Sequence, residues 1–237
     1  MARPPHAGAL SAPEPFLADA QSGELEPRMQ DHLDVDLDPQ KINAFWAWLA
    51  SHQSDLNALE SPDDPFWDEL LARLQAVNEG LWFEVSAAGE KDRELVITAQ
   101  GDWELFPLVE AMVSVAPELP GWTAVPLKPA MGFGFSIGYR GLELNPDDMW
   151  FEPLVDPDSP EVLGLRVAVQ GFNDDQEEEF ANGLLLILDT ALGEKAAATD
   201  VDLVEVCEMP ADPDDEGFLP FTELASYLAW RKSRLTH

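Results

Sequence analysis

The stretch LWFEVSAAGEKDRELVITAQGDWELFPLVEAMVSVAPELPGWTAVPL, residues 81–127, decides the fold. Short runs of β-branched and aromatic residues are separated by a glycine-containing turn, and a longer apolar run with helical spacing follows the second of them. The predicted elements are a strand at 81–87, a turn at 89–92, a strand at 94–99, a helix that begins at Gly101 and Asp102, and a strand at 122–127. The stretch therefore predicts a ββαβ unit.

The same plan recurs in the second half of the chain. The tripeptide WFE opens the first unit at 82–84 and the second unit at 150–152. The second strand of each unit ends in a Gln-Gly pair, at 100–101 and at 170–171, after nearly the same interval. We therefore predict two ββαβ units, at about 80–128 and 148–208, that form an internal repeat. Two units in one shared sheet and two independent lobes are both compatible with this pattern.

Helices are predicted on both sides of these units. Asp38 followed by Pro39 is an N-cap with proline at the first helical position, and it begins the first helix of an N-terminal helical hairpin. The second helix of this hairpin is predicted to begin at Ser61, because Asp64 follows three residues later as in a capping box. A C-terminal helix is predicted at 221–235. Its inward-facing candidates are Leu224, Tyr227, Leu228 and Trp230.

One α+β domain is predicted at 38–237, after a flexible tail at 1–37 that is rich in Pro, Ala and acidic residues. No apolar segment of a secretory signal follows Arg3, and no apolar run is long enough to span a bilayer. The single cysteine, Cys207, excludes a disulfide within the chain and fits a reducing compartment. We therefore predict a cytoplasmic protein.

Charge limits the class of partner. The chain has 13 Lys and Arg against 46 Asp and Glu, a formal net charge of −33. Such a surface repels the phosphate backbone of nucleic acids and the head groups of anionic membranes. It favours solubility, or the steering of a basic protein.

The residue patterns of common catalytic sites are missing from the sequence. The four histidines, none of which has a Ser, Cys or metal-ligand partner at a usable spacing, are His6, His32, His52 and His237. Glycines cluster at 132–134, but their spacing is wrong for a dinucleotide-binding or phosphate-binding loop and indicates an irregular hairpin. Cys207 lies in an apolar run and is predicted to be a small buried residue. We predict no catalytic residue and no cofactor.

One acidic segment is similar to a calcium-binding loop. From Asp212 to Glu223, acids occupy positions one, three, five and twelve, and Gly217 occupies position six. However, Glu216 at position five is longer than the usual Asp or Asn, and the element before the loop is predicted to be a strand instead of a helix. A solvated acidic linker is the alternative.

One tryptophan is the candidate partner-binding residue. Trp46 and Trp48 are two positions apart on the first helix, so they cannot face the same side. One of them is therefore exposed or covers another element. We select Trp48, because tryptophan is enriched at the energetic centres of protein interfaces.

Several segments resemble a pattern of uncharacterised bacterial proteins. The segments are ELVITA at 94–99, ELFP at 104–107, APELPGW at 116–122, NPDDMWF at 145–151 and ALGE at 191–194. The resemblance implies a bacterial cytoplasmic origin and assigns no activity.

The charge and the missing catalytic patterns favour a non-enzymatic binding or regulatory protein for a basic protein partner, with an inhibitor or immunity-like role. An enzyme with a carboxylate-based site and a calcium-binding module are the alternatives. The binding hypothesis predicts a broad acidic face with an apolar centre. The enzyme hypothesis predicts a concave pocket with convergent carboxylates of raised pKa.

Overall fold

The computed structural model describes residues 37–87 and 92–235. It mixes helices with three small sheets, which confirms the predicted α+β class. The described residues include only Leu37 of the predicted tail. They also leave out most of the turn predicted at 89–92. Within those residues, no helix combines the length and the apolar character that a membrane span requires.

The chain divides into two compact units, one that ends at Lys128 and one that begins at Pro129. In the first unit, the sheet order is β1-β2-β3, with β1 antiparallel and β3 parallel to the central strand. Its elements are α1 Pro39–Ser51, α2 Gln53–Ala58, α3 Pro65–Gln75, β1 Trp82–Val85, β2 Arg93–Thr98, α4 Phe106–Ser114 and β3 Trp122–Pro126.

In the second unit, a small hairpin precedes a four-stranded sheet of order β8-β7-β6-β9. Strands β6 and β7 are antiparallel, and β8 is parallel to β7. The elements are β4 Ile137–Tyr139, β5 Leu142–Leu144, β6 Trp150–Asp156, β7 Ser159–Val169, α5 Glu177–Leu192, α6 Glu194–Asp200, β8 Leu203–Glu208, β9 Leu219–Pro220 and α7 Leu224–Leu235. Each unit therefore has its own sheet and contains the predicted ββαβ order. The single domain at 38–237 stays a prediction.

The N-terminal helices follow the predicted caps with one correction. The Asp38 carboxylate accepts a hydrogen bond from the Gln40 backbone N–H at 2.8 Å, which confirms the start of α1. The prediction that the next long helix begins at Ser61 is wrong, because Asp64 is the N-cap of α3 and accepts a bond from the Phe66 N–H at 3.0 Å. Proline at the first helical position fixes this start. The short helix α2 was not predicted.

The repeated WFE tripeptide has the same position in both sheets. Phe83 pairs with Ile97 on β2, and Phe151 pairs with Val167 on β7. Phe83 contacts the Trp67 ring of α3, and Phe151 belongs to the core cluster that α5 completes. Because successive side chains of a strand alternate between faces, the Trp and Glu of each tripeptide lie on the side opposite these helices.

Both units use a glycine with positive φ to leave the central strand. Gly101 has φ +86° after β2, and Gly171 has φ +76° after β7. A short 3₁₀ turn follows each glycine, and the crossover helix follows the turn. Other residues reach such φ values only at a cost in free energy, because their Cβ crowds the backbone. This requirement explains the Gln-Gly pair at the end of both strands.

A buried arginine ties the first unit together. Arg93, 9% exposed, donates hydrogen bonds to the backbone oxygens of Leu59 at 3.1 Å and Ser86 at 3.3 Å. Its guanidinium lies 4.3 Å from the centre of the Trp122 ring, and the Trp122 indole N–H donates to the Asn57 side chain at 3.0 Å. These contacts join the end of α2 to β1 and β3, so Arg93 has a structural role.

The C-terminal helix departs from prediction at one residue. Leu224 and Leu228 are buried, and Tyr227 is half-buried against Phe151. Trp230 is 54% exposed, so its predicted inward orientation is wrong. Arg231 donates to the carbonyl of Val162 at 3.0 Å and thereby holds α7 against the beginning of β7.

The two strand-end glycines give a test of the repeated geometry. We expect Gly101→Ala and Gly171→Ala each to lower the free energy of unfolding by about 1–2 kcal/mol, because alanine is strained at these φ values. Gly134→Ala is the control, since a Cβ added there would meet no atom within 4 Å and the φ of Gly134 lies outside the left-handed region. Denaturant titration followed by circular dichroism measures the change. An unchanged midpoint for Gly171→Ala would contradict the assignment.

The role of Arg93 is tested by Arg93→Met. We expect a loss of about 2–3 kcal/mol in the free energy of unfolding, because two buried carbonyls lose a charged donor. Arg73→Met is the control, since Arg73 forms an exposed bridge to Glu69 and its loss costs about 0–1 kcal/mol. Tryptophan fluorescence during denaturant unfolding compares the variants. Equal losses for both would show that the buried contacts of Arg93 contribute nothing specific.

Candidate binding surface

The second unit exposes one face of its four-stranded sheet. The core side chains Phe151, Leu165 and Val167 point toward α5, so the alternate residues of the same strands point away from it. We call this second side the outer face. Its half-buried or exposed side chains on β6, β7 and β8 are Trp150, Glu152, Leu154, Arg166, Leu203, Glu205 and Cys207. Two further side chains of β7 on the same side, Val162 and Ala168, are buried.

A cross-strand ion-pair triad lies at the centre of the outer face. Arg166 on β7 lies beside Glu152 on β6 and Glu205 on β8 in the register of the sheet. The Arg166 guanidinium is 2.9 Å from the Glu152 carboxylate and 3.3 Å from the Glu205 carboxylate. Their side chains remain 34–48% exposed, so the triad contributes little to stability but gives the face a net negative charge.

Apolar side chains flank the triad on both sides. Trp150 lies opposite Ala168 in the register of the sheet, and Ala168 is buried. Leu154 lies over Gly164, because a Cβ added at Gly164 would be 3.1 Å from the Leu154 Cβ. At the edge strand, Leu203 is 36% exposed. The face therefore combines an acidic centre with accessible apolar surface.

Cys207 lies on the outer face near the triad. Burial raises the pKa of the Cys207 thiol, the positive charge of Arg166 lowers it, and the carboxylates of Glu152 and Glu205 raise it. The net result is a raised pKa, which keeps the thiol protonated at neutral pH. The prediction that Cys207 is buried is correct only in part, because the residue is half-buried.

An open cleft of about 520 Å³ lies where β7 and β8 end. Its lining residues are Phe172, Asn173, Asp174, Glu177, Val206, Cys207 and Glu208. The carboxyl ends of parallel strands are where open sheets commonly bind ligands. Three carboxylates line this cleft, but its openness to solvent is unlike the enclosed pocket that most small-molecule sites require.

The predicted partner-binding residue Trp48 lies in the first unit. Trp46 is buried and donates its indole N–H to the Met112 carbonyl at 2.9 Å, so Trp48 is the one that faces outward. Trp48 is half-buried, because its ring stacks on the Phe66 ring of α3 with 5.4 Å between the ring centres. The Arg73 guanidinium lies 5.5 Å from the ring. Trp48 thus covers a neighbouring helix, and its role in partner binding stays a prediction.

The segment from Asp212 to Glu223 forms a compact turn followed by a strand. The backbone N–H of Gly217 donates to the Asp214 carbonyl at 3.1 Å, and β9 pairs with β6 immediately afterwards. Glu223 lies beyond β9, in the 3₁₀ turn before α7. In the two described ranges, no group of three or more His, Cys, Asp or Glu side chains converges in a way that could hold a metal ion.

Sequence reasoning identified the elements that carry the outer face but not the face itself. The signal was present in the repeated WFE tripeptide, since period-two alternation assigns the Trp and the Glu of each copy to one side. Arg166 was not singled out, because the pairing register that places it between Glu152 and Glu205 comes from three distant segments.

Comparison of the chain with models of protein families, with curated proteins and with solved structures gives no match.

The electrostatics of the outer face are tested through Cys207. We expect Glu205→Gln to lower the pKa of the thiol and to accelerate its alkylation at about pH 8, because a nearby negative charge is removed. Arg166→Gln should raise the pKa and slow alkylation. Glu60→Gln, an exposed change in the other unit, is the control and should have no effect. The rate of reaction with iodoacetamide is measured across a pH series for each variant. Slower alkylation in Glu205→Gln than in Arg166→Gln would contradict this geometry.

Proposed function

We propose that this protein is a non-enzymatic binding or regulatory protein whose acidic surface binds a basic protein partner, in an inhibitor or immunity-like role. The excess of 46 acidic over 13 basic residues supports the proposal. A negative field of this size steers a cationic protein toward the surface and repels nucleic acids and anionic membranes. A bacterial cytoplasmic location is part of the same proposal. The single cysteine fits a reducing compartment, and the bacterial origin rests on the sequence resemblance alone.

The observation that carries the proposal is how the described cations are used. Arg73 pairs with Glu69 at 3.1 Å, and Lys232 pairs with Asp200 at 2.6 Å. Arg166 lies between two carboxylates, and Arg231 bonds to backbone carbonyls. Arg73, Arg166 and Lys232 are already paired with carboxylates, so these three cations do little to offset the remaining exposed acids.

Exposed acids at the beginning of α5 add to this surface. Asp174, Asp175, Glu177 and Glu178 are all exposed there. The partial positive charge of a helix N-terminus stabilises carboxylates in the first turn, so the fold tolerates this density of negative charge. An inhibitor that masks a cationic nucleic-acid-binding surface would present this type of acidic surface.

The two alternatives have less support from the geometry. The enzyme hypothesis requires convergent carboxylates in an enclosed site, whereas the cleft near Phe172 is open to solvent. The calcium hypothesis requires the oxygens from Asp212 to Glu223 to surround one point, whereas β9 separates Glu223 from the acidic turn. The binding hypothesis predicts a broad acidic surface with an apolar centre. The outer face has acidic and apolar side chains together, but with the acidic triad at its centre and the apolar side chains beside it.

Affinity capture tests the proposal directly. We expect the tagged full-length chain to retain a protein with an excess of Lys and Arg at about 50 mM salt and to lose it at about 500 mM salt, because screening weakens electrostatic association. With the purified pair, the association rate constant should fall as salt rises. Capture of only neutral or acidic proteins, or a binding constant that does not change with salt, would contradict electrostatic docking.

A further inference from the structure

We propose that the outer face of the second unit is the docking surface for a basic segment of the partner, with Trp150 as its apolar contact and Glu152 and Glu205 as its charged contacts. This inference rests on the proposed function and locates it on one side of one sheet. It also assigns the role of central partner-binding tryptophan to Trp150 instead of Trp48.

Trp150 differs from the structural tryptophans in its contacts. The indole N–H groups of Trp46, Trp67 and Trp122 donate to Met112, Ser61 and Asn57, respectively. Among the described residues, Trp150 makes no side-chain hydrogen bond and no ring contact. It is half-buried in the sheet, and its indole N–H is not one of the buried side-chain atoms that lack a partner. A large aromatic side chain with an unused donor is typical of the centre of a protein interface.

The charge of the outer face selects the kind of occupant. Two carboxylates surround one guanidinium in the triad, so the face is negative overall, and Leu203 and Leu154 provide apolar surface beside it. A segment that carries Lys or Arg between apolar residues matches both features. Its cations can pair with Glu152 and Glu205 on the sides that Arg166 does not occupy.

Two other occupants match this surface less well. A second copy of the chain brings a net charge of −33 toward an acidic face, which is unfavourable. The chain's own residues 1–36 are acidic as well, so they offer the same sign of charge. Charge complementarity therefore favours a basic partner over both.

The test uses a synthetic peptide of about ten residues in which Arg alternates with Leu, a pattern suited to an extended strand. The full-length protein is titrated with this peptide at about 150 mM salt. We expect the indole N–H signal of Trp150 to shift in the NMR spectrum. We also expect Leu203→Lys to weaken binding about tenfold or more, because a positive charge then lies in the docking surface.

Leu185→Lys is the matched control. Leu185, on α5, is 41% exposed and Leu203 is 36% exposed, so both variants add one positive charge at a similar solvent-accessible leucine of the same unit. The control should weaken binding by about twofold or less, because it changes only the long-range field. A second pair, Trp150→Ala and Trp103→Ala, makes the same comparison for an aromatic side chain, with thermal unfolding as the check on folding. Trp103 is 37% exposed and lies in the 3₁₀ turn of the first unit.

The outcomes separate this inference from the proposed function. If Leu203→Lys and Leu185→Lys weaken peptide binding equally, the outer face is not the docking site. The same follows if the peptide shifts NMR signals only on another surface. In both cases the proposed electrostatic binding would still stand. No binding of the peptide to the wild-type protein would count against both. If sedimentation velocity shows a dimer that Leu203→Lys abolishes, the occupant of the outer face is a second copy of the chain and not a basic partner.

Discussion

The arrangement of the second unit depends on the burial of one side of a twisted sheet beneath a crossover helix. Phe151, Leu165 and Val167 are completely buried, and together with the apolar side of α5 they form its core. Because a strand alternates its side chains, this burial determines which residues point outward. The outer face is therefore a consequence of core packing, and a shift of one residue in register would bury Arg166 and expose Phe151.

The same constraint operates in the first unit with different side chains. There the position equivalent to Arg166 is Val96, which lies between Glu84 and Val125 in the sheet register. The cross-strand triad is thus absent from these positions, although the strand order and the Trp-Phe-Glu alternation are shared. Arg93, held by Leu59, Ser86 and Trp122, instead anchors the end of that sheet. The two units share a backbone plan and differ in what they expose.

The charge distribution connects this architecture to function. Arg93 and Arg231 hold elements together through backbone carbonyls, while carboxylates collect in helix first turns and on the open strands, where solvent and helix dipoles tolerate them. An accessible tryptophan beside such carboxylates gives the proposed partner both a steering field and an apolar contact. Burial raises the pKa of the Cys207 thiol on this face, and the carboxylates of Glu152 and Glu205 raise it further.

The sequence by itself determined the α+β class, the two ββαβ units, the Asp38 cap and the acidic character, because periodicity, capping residues and net charge are local or additive properties. Only the tertiary structure decided that each unit has its own sheet, that Asp64 begins α3, that Trp230 is exposed, and that Arg166 lies between two glutamates. These features depend on the pairing of segments far apart in the chain. Local propensity does not contain that information, since cross-strand register is set by which side chains the whole core can bury.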